Sequence, residues 1–262
     1  MIQLYYTLLY EPIFNFLVFL YNTVGFKDIG VAIIILTLLI KLILYPLSVK
    51  SIKAQKALQE LQPKMEAIKK KYKGNQQELG KAMMQLYKKE KISPASSCLP
   101  LLIQMPFLIA VYQVFRNGFK PESLDLLYSF ITNPGAINPM AFGFIDFAQR
   151  NIPLAFLAGA AQYWSSKMLI TKKQPKVHGA KDESMTTAMN KQMLYIMPAI
   201  TIFIGFSLPG GLTFYWFLTT LLTAFQQLYI FKKHNPQSQQ VPLDAKPVEI
   251  KEVKEVENHE DK

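Results

Sequence analysis

The stretch Ile29–Leu47, IGVAIIILTLLIKLILYPL, carries a single charge in nineteen residues. As a helix at 1.5 Å per residue it is about 28 Å long, close to the thickness of a hydrocarbon layer, so it can span a membrane. Four further apolar blocks follow, at Cys98–Phe115, Ile152–Ile170, Met193–Ser207 and Gly211–Phe231. The last two are joined by Leu208-Pro209-Gly210, which allows only a tight turn and makes them an antiparallel hairpin. A chain that is 50% hydrophobic and 18% charged, with its charges gathered between such blocks, does not build one soluble core.

The segments between blocks alternate in basic content: one lysine in Met1–Asp28, twelve in Ser48–Ser97, three basic residues in Arg116–Asn151, six in Lys167–Gln192 and six in Lys232–Lys262. By the positive-inside rule the rich segments are cytoplasmic, so the N-terminus lies outside and the C-terminus inside. The net charge of +11 is therefore mainly a topology signal. Neither a nucleic-acid reading motif nor a basic face with interleaved aromatics is present, and no specific DNA binding is expected.

The remaining lysine, Lys41, falls inside the first block, three residues past its centre and roughly 4–5 Å to the cytoplasmic side of the midplane. An ammonium there costs about 2.5–3.5 kcal/mol, and such groups face a bundle interior or a wet cavity. No acid lies within any of the five blocks to pair with it. A lysine that keeps its proton at this depth needs water, which points to a hydrated groove opening to the cytoplasm. The bland alternative is snorkelling, for which a stem reaching about 5 Å is marginal. Thr37 lies one turn earlier on the same face, while Gln104, Gln113, Gln162, Thr201, Thr219, Thr223 and Gln226 are spread over the other blocks, where each more readily makes an interhelical hydrogen bond.

The opening segment Leu4–Val24 is apolar enough to suggest a sixth span, but Glu11-Pro12 and Asn15 weigh against it. Ile13, Phe16, Leu17 and Leu20 share one helical face and suit a helix lying in the outer interface. From Ser51 the pattern changes: Leu58, Leu61, Met65, Ile68 and Tyr72 recur at coiled-coil spacing, Gly74-Asn75 interrupts them, and Leu79, Met83 and Leu86 resume before Ser93-Pro94. This reads as a cytoplasmic antiparallel helical hairpin, bent at Pro63, whose Lys69, Lys70, Lys71 and Lys73 suit anionic lipid or a docking partner.

One cysteine, Cys98, excludes an intramolecular disulfide, and the three histidines lie in polar segments, so no metal or other cofactor is expected. No glycine-rich phosphate loop and no GxSxG elbow occur; Ser165, Ser166 and Lys167 read as boundary residues, and the protein is not expected to be an enzyme. The fold class is an all-α polytopic membrane protein. Its expected parts are an outer-interface helix (1–28), spans at 29–47, 98–115, 152–170, 193–207 and 211–231 around a hydrophilic groove, a cytoplasmic hairpin (48–97), an extracytoplasmic loop (116–151), a cytoplasmic loop (171–192), an outer turn (208–210) and a disordered tail (232–262) of six lysines and seven acids.

Several stretches are distinctive in order and spacing: TLLIKLILYPL at Thr37–Leu47, LQPKM at Leu61–Met65, MMQLYKKEKISP at Met83–Pro94, CLPLLIQMPF at Cys98–Phe107 and LPGGLTFYW at Leu208–Trp216. Through these the chain resembles the YidC family of membrane-protein insertases over roughly Leu8 to Lys233, in a short form without the large extracytoplasmic domain of many Gram-negative relatives. The resemblance implies five core helices around a groove open to the cytoplasm and to lipid, and a multi-pass protein of the bacterial inner membrane.

It also implies roles. Lys41 falls on a groove arginine that attracts the acidic tail of a substrate; the charge is kept, the planar fork lost. Thr37, Gln104, Tyr215 and Trp216 belong to the groove, and Met105, Pro106 and Leu108 to a surface along which a substrate's apolar segment slides. The implied partners are nascent membrane proteins, with the Sec translocon and the ribosome as further candidates. The near-neutral tail weakens the ribosomal expectation, because phosphate attraction needs net positive charge. The rival reading from another class is a channel or small transporter, which the absence of an inverted repeat disfavours.

Overall fold

The computed structural model describes residues 2–93, 99–118, 121–169 and 191–233. Cys98, residues 171–190 of the expected cytoplasmic loop and residues 234–262 of the tail lie outside the described residues. The architecture is helical, with one two-stranded antiparallel ribbon in which β1 (Met140–Ala141) pairs with β2 (Ile145–Asp146).

The opening segment runs from α1 (Ile2–Tyr5) through a wide π turn at Tyr6–Tyr10 into α2 (Glu11–Asn22). Among the described residues, Gln3–Asn22 is the one unbent helix long and apolar enough to cross a membrane by length and composition, although the sequence reading assigns it to the interface. The polar groups that disfavour a span are accommodated locally. Pro12 lies just after the π turn at Tyr6–Tyr10, and Asn15 is 1% exposed with its amide protons and its oxygen all bonded. Of the four residues expected on one face, Ile13, Leu17 and Leu20 are buried and Phe16 is exposed; Phe14, Val18 and Tyr21 widen the buried face.

The first apolar block is not one straight helix to Leu47. Helix α3 (Ile29–Ile43) ends at Leu44, and α4 (Tyr45–Glu60) leaves it at a bend of 69°. Pro46 is the cause, since its ring would clash with the carbonyl of Leu42 and it has no N–H to continue the ladder. Fifteen helical residues reach only about 22 Å. Lys41 therefore stands in the last turn of α3, nearer the helix end than its position in a nineteen-residue span suggests.

Beyond α4 the chain kinks at Leu61 into α5 (Gln62–Lys71), with Pro63 in its first turn, turns through Gly74 at φ +96°, and returns as α6 (Gln76–Lys89), capped by the Asn75 side chain on the Glu78 N–H. The two arms are antiparallel: Lys64 pairs with Glu90 at 2.7 Å, and the Tyr87 hydroxyl contacts the Met65 sulfur at 3.9 Å. Leu61 and Met65 are buried on one arm and Ala82 on the other; Met83, next to Ala82, is only half-buried.

Helix α7 (Leu99–Asn117) contains Pro106; α8 (Ile152–Leu169), α9 (Met197–Gly205, entered by a π turn at Gln192–Ile196) and α10 (Gly210–Lys233) complete the bundle. Close approach between α8 and α9 requires Gly159, where a Cβ would collide with the Ile202 side chain. The hydroxyl of Ser165 donates to the Gln227 amide oxygen at 3.0 Å, joining α8 to α10 inside the bundle.

One end of the bundle is capped by residues 121–151. Asn15 of α2 holds this segment through Leu126 and Tyr128, and Asn22 donates to Thr132 at 2.7 Å. Asp28 accepts from Gly30 and Val31 at the start of α3 and from the Phe142 N–H at 2.6 Å. Beneath it Phe142, Phe147 and Phe214 pack ring against ring, and the first amides of α10, Gly210 and Gly211, donate to Gln149 and Phe147. Ile131, Ile137, Ala141 and Phe147 of this segment join the buried apolar cluster of α2, α3, α7 and α10.

Candidate functional site

Lys41 projects from the last turn of α3, where the partial negative charge of the helix C-terminus favours a cation. Its Nζ donates to Oγ1 of Thr223 on α10 at 2.7 Å. Among the described residues it forms no ion pair with an acid. The Lys41 side chain lines a recess of about 380 Å³ between α10 and the bend from α3 into α4. Leu38, Leu42 and Tyr45 form one wall of that recess; Leu222, Phe225, Gln226 and Tyr229 form the other. The walls are mostly apolar and open to the surroundings, with Leu42 69% exposed and Tyr229 60% exposed. One turn beyond Thr223, Gln226 accepts a hydrogen bond from Ser48 of α4 at 3.1 Å. Helix α10 thus grips the chain on both sides of the bend at Leu44.

The remaining expected groove residues do not share this recess. Thr37 is 1% exposed and its hydroxyl donates to the Ile33 carbonyl at 2.6 Å, so it is turned into its own helix rather than toward Lys41. Gln104 of α7 donates to the Tyr215 hydroxyl at 2.7 Å, and Tyr215 is 1% exposed. That bond ties α7 to α10 two helical turns from Thr223. Trp216 is half-buried beside it and does not line the recess.

On α7, Leu102, Met105 and Ile109 form the exposed apolar face, while Leu108 packs against the core and Pro106 is half-buried. Of the three residues expected on the sliding surface, Met105 alone is well exposed. In the hairpin Lys70, Lys71 and Lys73 are exposed and Lys69 is half-buried, with the Lys71 ammonium 5.5 Å from the Tyr72 ring centre.

Sequence reasoning missed Thr223 as the partner of Lys41. The one available signal was that Tyr215, Thr219 and Thr223 recur at four-residue spacing and so form a polar stripe on α10. Nothing in that spacing says which helix the stripe faces.

The physical content of the site is a cation held by a neutral hydroxyl at the rim of an apolar, open recess. An ammonium has three donors, and Thr223 takes one. Two donors remain, so the site has the chemistry to hold a carboxylate beside apolar side chains.

Comparison with known proteins finds a match to the 60Kd inner membrane protein family over residues 19–238. The chain is 33% identical to the membrane protein insertase YidC of Fusobacterium nucleatum over 229 residues, covering 86% of this chain and 98% of that one. It is 32% identical over 231 residues to that of Pelobacter propionicus, covering 88% of this chain, and 35% identical over 222 residues to that of Helicobacter pylori, covering 85%. The match spans only 40% and 36% of those two longer relatives. A crystal structure described as an active YidC insertase with its first transmembrane domain resolved superposes with a TM-score of 0.54 at 29% identity, covering 84% of this chain and 46% of that one.

Proposed function

The chain belongs to the 60Kd inner membrane protein family, and from that premise we propose that it inserts newly made membrane proteins into the lipid bilayer. In this reading α3, α7, α8, α9 with its preceding π turn, and α10 cross the inner membrane, the α5–α6 hairpin is cytoplasmic, and residues 121–151 cap the outer end. The opening helix α1–α2 lies at or in the outer leaflet. The N-terminus is outside and the C-terminus inside.

The observation that carries the proposal is the Lys41 ammonium, bonded to a neutral hydroxyl at the edge of an open apolar recess. An acidic tail approaching from the cytoplasm meets an attractive station part-way into the membrane, so less of its path lies through hydrocarbon. Its apolar segment finds cover along Leu42 and Phe225, and along the exposed α7 face at Met105. Burial of that segment in lipid drives the reaction, aided by the membrane potential acting on the tail's charge. Nascent membrane proteins are the substrates, and the Sec translocon, the ribosome and anionic lipids are candidate partners at the hairpin lysines Lys69, Lys70, Lys71 and Lys73.

The test is reconstitution. Proteoliposomes holding the full chain should insert a single-span protein with a short acidic tail. Lys41→Ala should reduce that insertion on the order of tenfold, the scale of one charge-assisted hydrogen bond, and Lys41→Arg should retain it. Ion flux without substrate, together with no insertion, would instead establish a channel.

A further inference from the structure

A lysine stem is flexible and does not by itself fix where its ammonium points. We infer that Thr223 is the positioning residue for this cation. The inference rests on the insertase reading and adds to it the group that gives the site its preference for acidic tails.

The geometry is specific. The Thr223 hydroxyl donates its own proton to the Thr219 carbonyl one turn back at 2.8 Å. The oxygen is thereby left with lone pairs only, and the Lys41 Nζ lies 2.7 Å from it. Because its proton is held by the Thr219 carbonyl, the hydroxyl keeps a fixed orientation in which its lone pairs receive the ammonium. It therefore anchors the tip of a long, flexible stem that would otherwise swing toward the headgroups.

Its neutrality matters equally. A carboxylate at this position would hold Lys41 more tightly but cancel the charge on which attraction depends. A threonine restrains the ammonium at one N–H and leaves its full charge directed at the recess. Gln226, one turn further along α10, accepts from Ser48 of α4 and is engaged there.

The experiment compares Thr223→Val, which keeps the side-chain shape but removes the acceptor, with Thr223→Ser, which restores it. Each full-length variant is reconstituted and given two single-span substrates that differ only in whether the tail carries aspartates or asparagines. The expected result is that Thr223→Val lowers insertion of the aspartate substrate about fivefold or more, leaves the asparagine substrate within about twofold, and adds nothing in a Lys41→Ala background; Thr223→Ser recovers insertion. Equal losses on both substrates, or a full loss that persists without Lys41, would reduce Thr223 to a packing residue and overturn the inference. Thermal midpoints of the two single variants and the double variant in nanodiscs give a readout independent of insertion, and additivity there would also refute the bond. Wild-type protein that inserts neither substrate overturns the insertase reading itself, and a non-additive midpoint would then leave Thr223 only a structural contact of Lys41.

Discussion

Asn15 shows how a single polar side chain sets the placement of an element. In the sequence it counts against a membrane helix, because an unpaired amide is costly in hydrocarbon. In the fold its amide group donates to the Glu11 and Leu126 carbonyls and accepts from the Tyr128 N–H, so every part of it is satisfied. Replacement by alanine leaves the Leu126 carbonyl and the Tyr128 N–H without their partner. Asn15→Ala should destabilise the protein by about 2 kcal/mol and lower its Tm in nanodiscs by roughly 4–8 °C. Lys41 makes the complementary point: residue type and position announced a functional cation, but the hydroxyl that holds it lies 182 residues away and nothing local names it.

Among the elements, the α8–α9 pair and the α5–α6 hairpin hold together by different physics. The first depends on closeness: Ala155 packs against Gly205, and Gly159 admits Ile202. Gly159→Leu should force the helices apart at about 1–3 kcal/mol, read as a lower unfolding midpoint and weaker disulfide trapping between cysteines placed on the two helices. The hairpin depends on buried Leu61, Met65 and Ala82, and its Lys64–Glu90 pair is partly exposed. Lys64→Ala should change stability by no more than about 1 kcal/mol, measurable as nearly unchanged helicity on heating. Heptad spacing in the sequence made the hairpin legible. Which of Ala82 and Met83 faces the seam was not, since adjacent residues differ by only about 100° around a helix and the crossing of the arms decides between them.

At the scale of the whole molecule the bundle is tied shut at one end. Asp28 links the start of α3 to the ribbon, and the three phenylalanines beneath join the ribbon to α10. Asp28→Ala should loosen this end as a unit: amide exchange should rise together at residues 29–33 and 140–147, while residues 62–89 keep their protection. If exchange rises in the hairpin as well, the two ends are not independent.

The amino-acid sequence by itself determined that the chain is mostly helical, that its apolar blocks are separated by charged segments, and that Lys41 is out of place among aliphatic neighbours. These follow from periodicity, composition and charge, which act over one or two helical turns. Only the tertiary structure decided that the first block bends at Leu44, that Thr37 turns away from the recess, that Leu102, Met105 and Ile109 form the outer face of α7, and that Thr223 receives the ammonium. Each of those depends on which faces of distant helices meet, and that is settled by side-chain packing across the bundle rather than by any local run of residues.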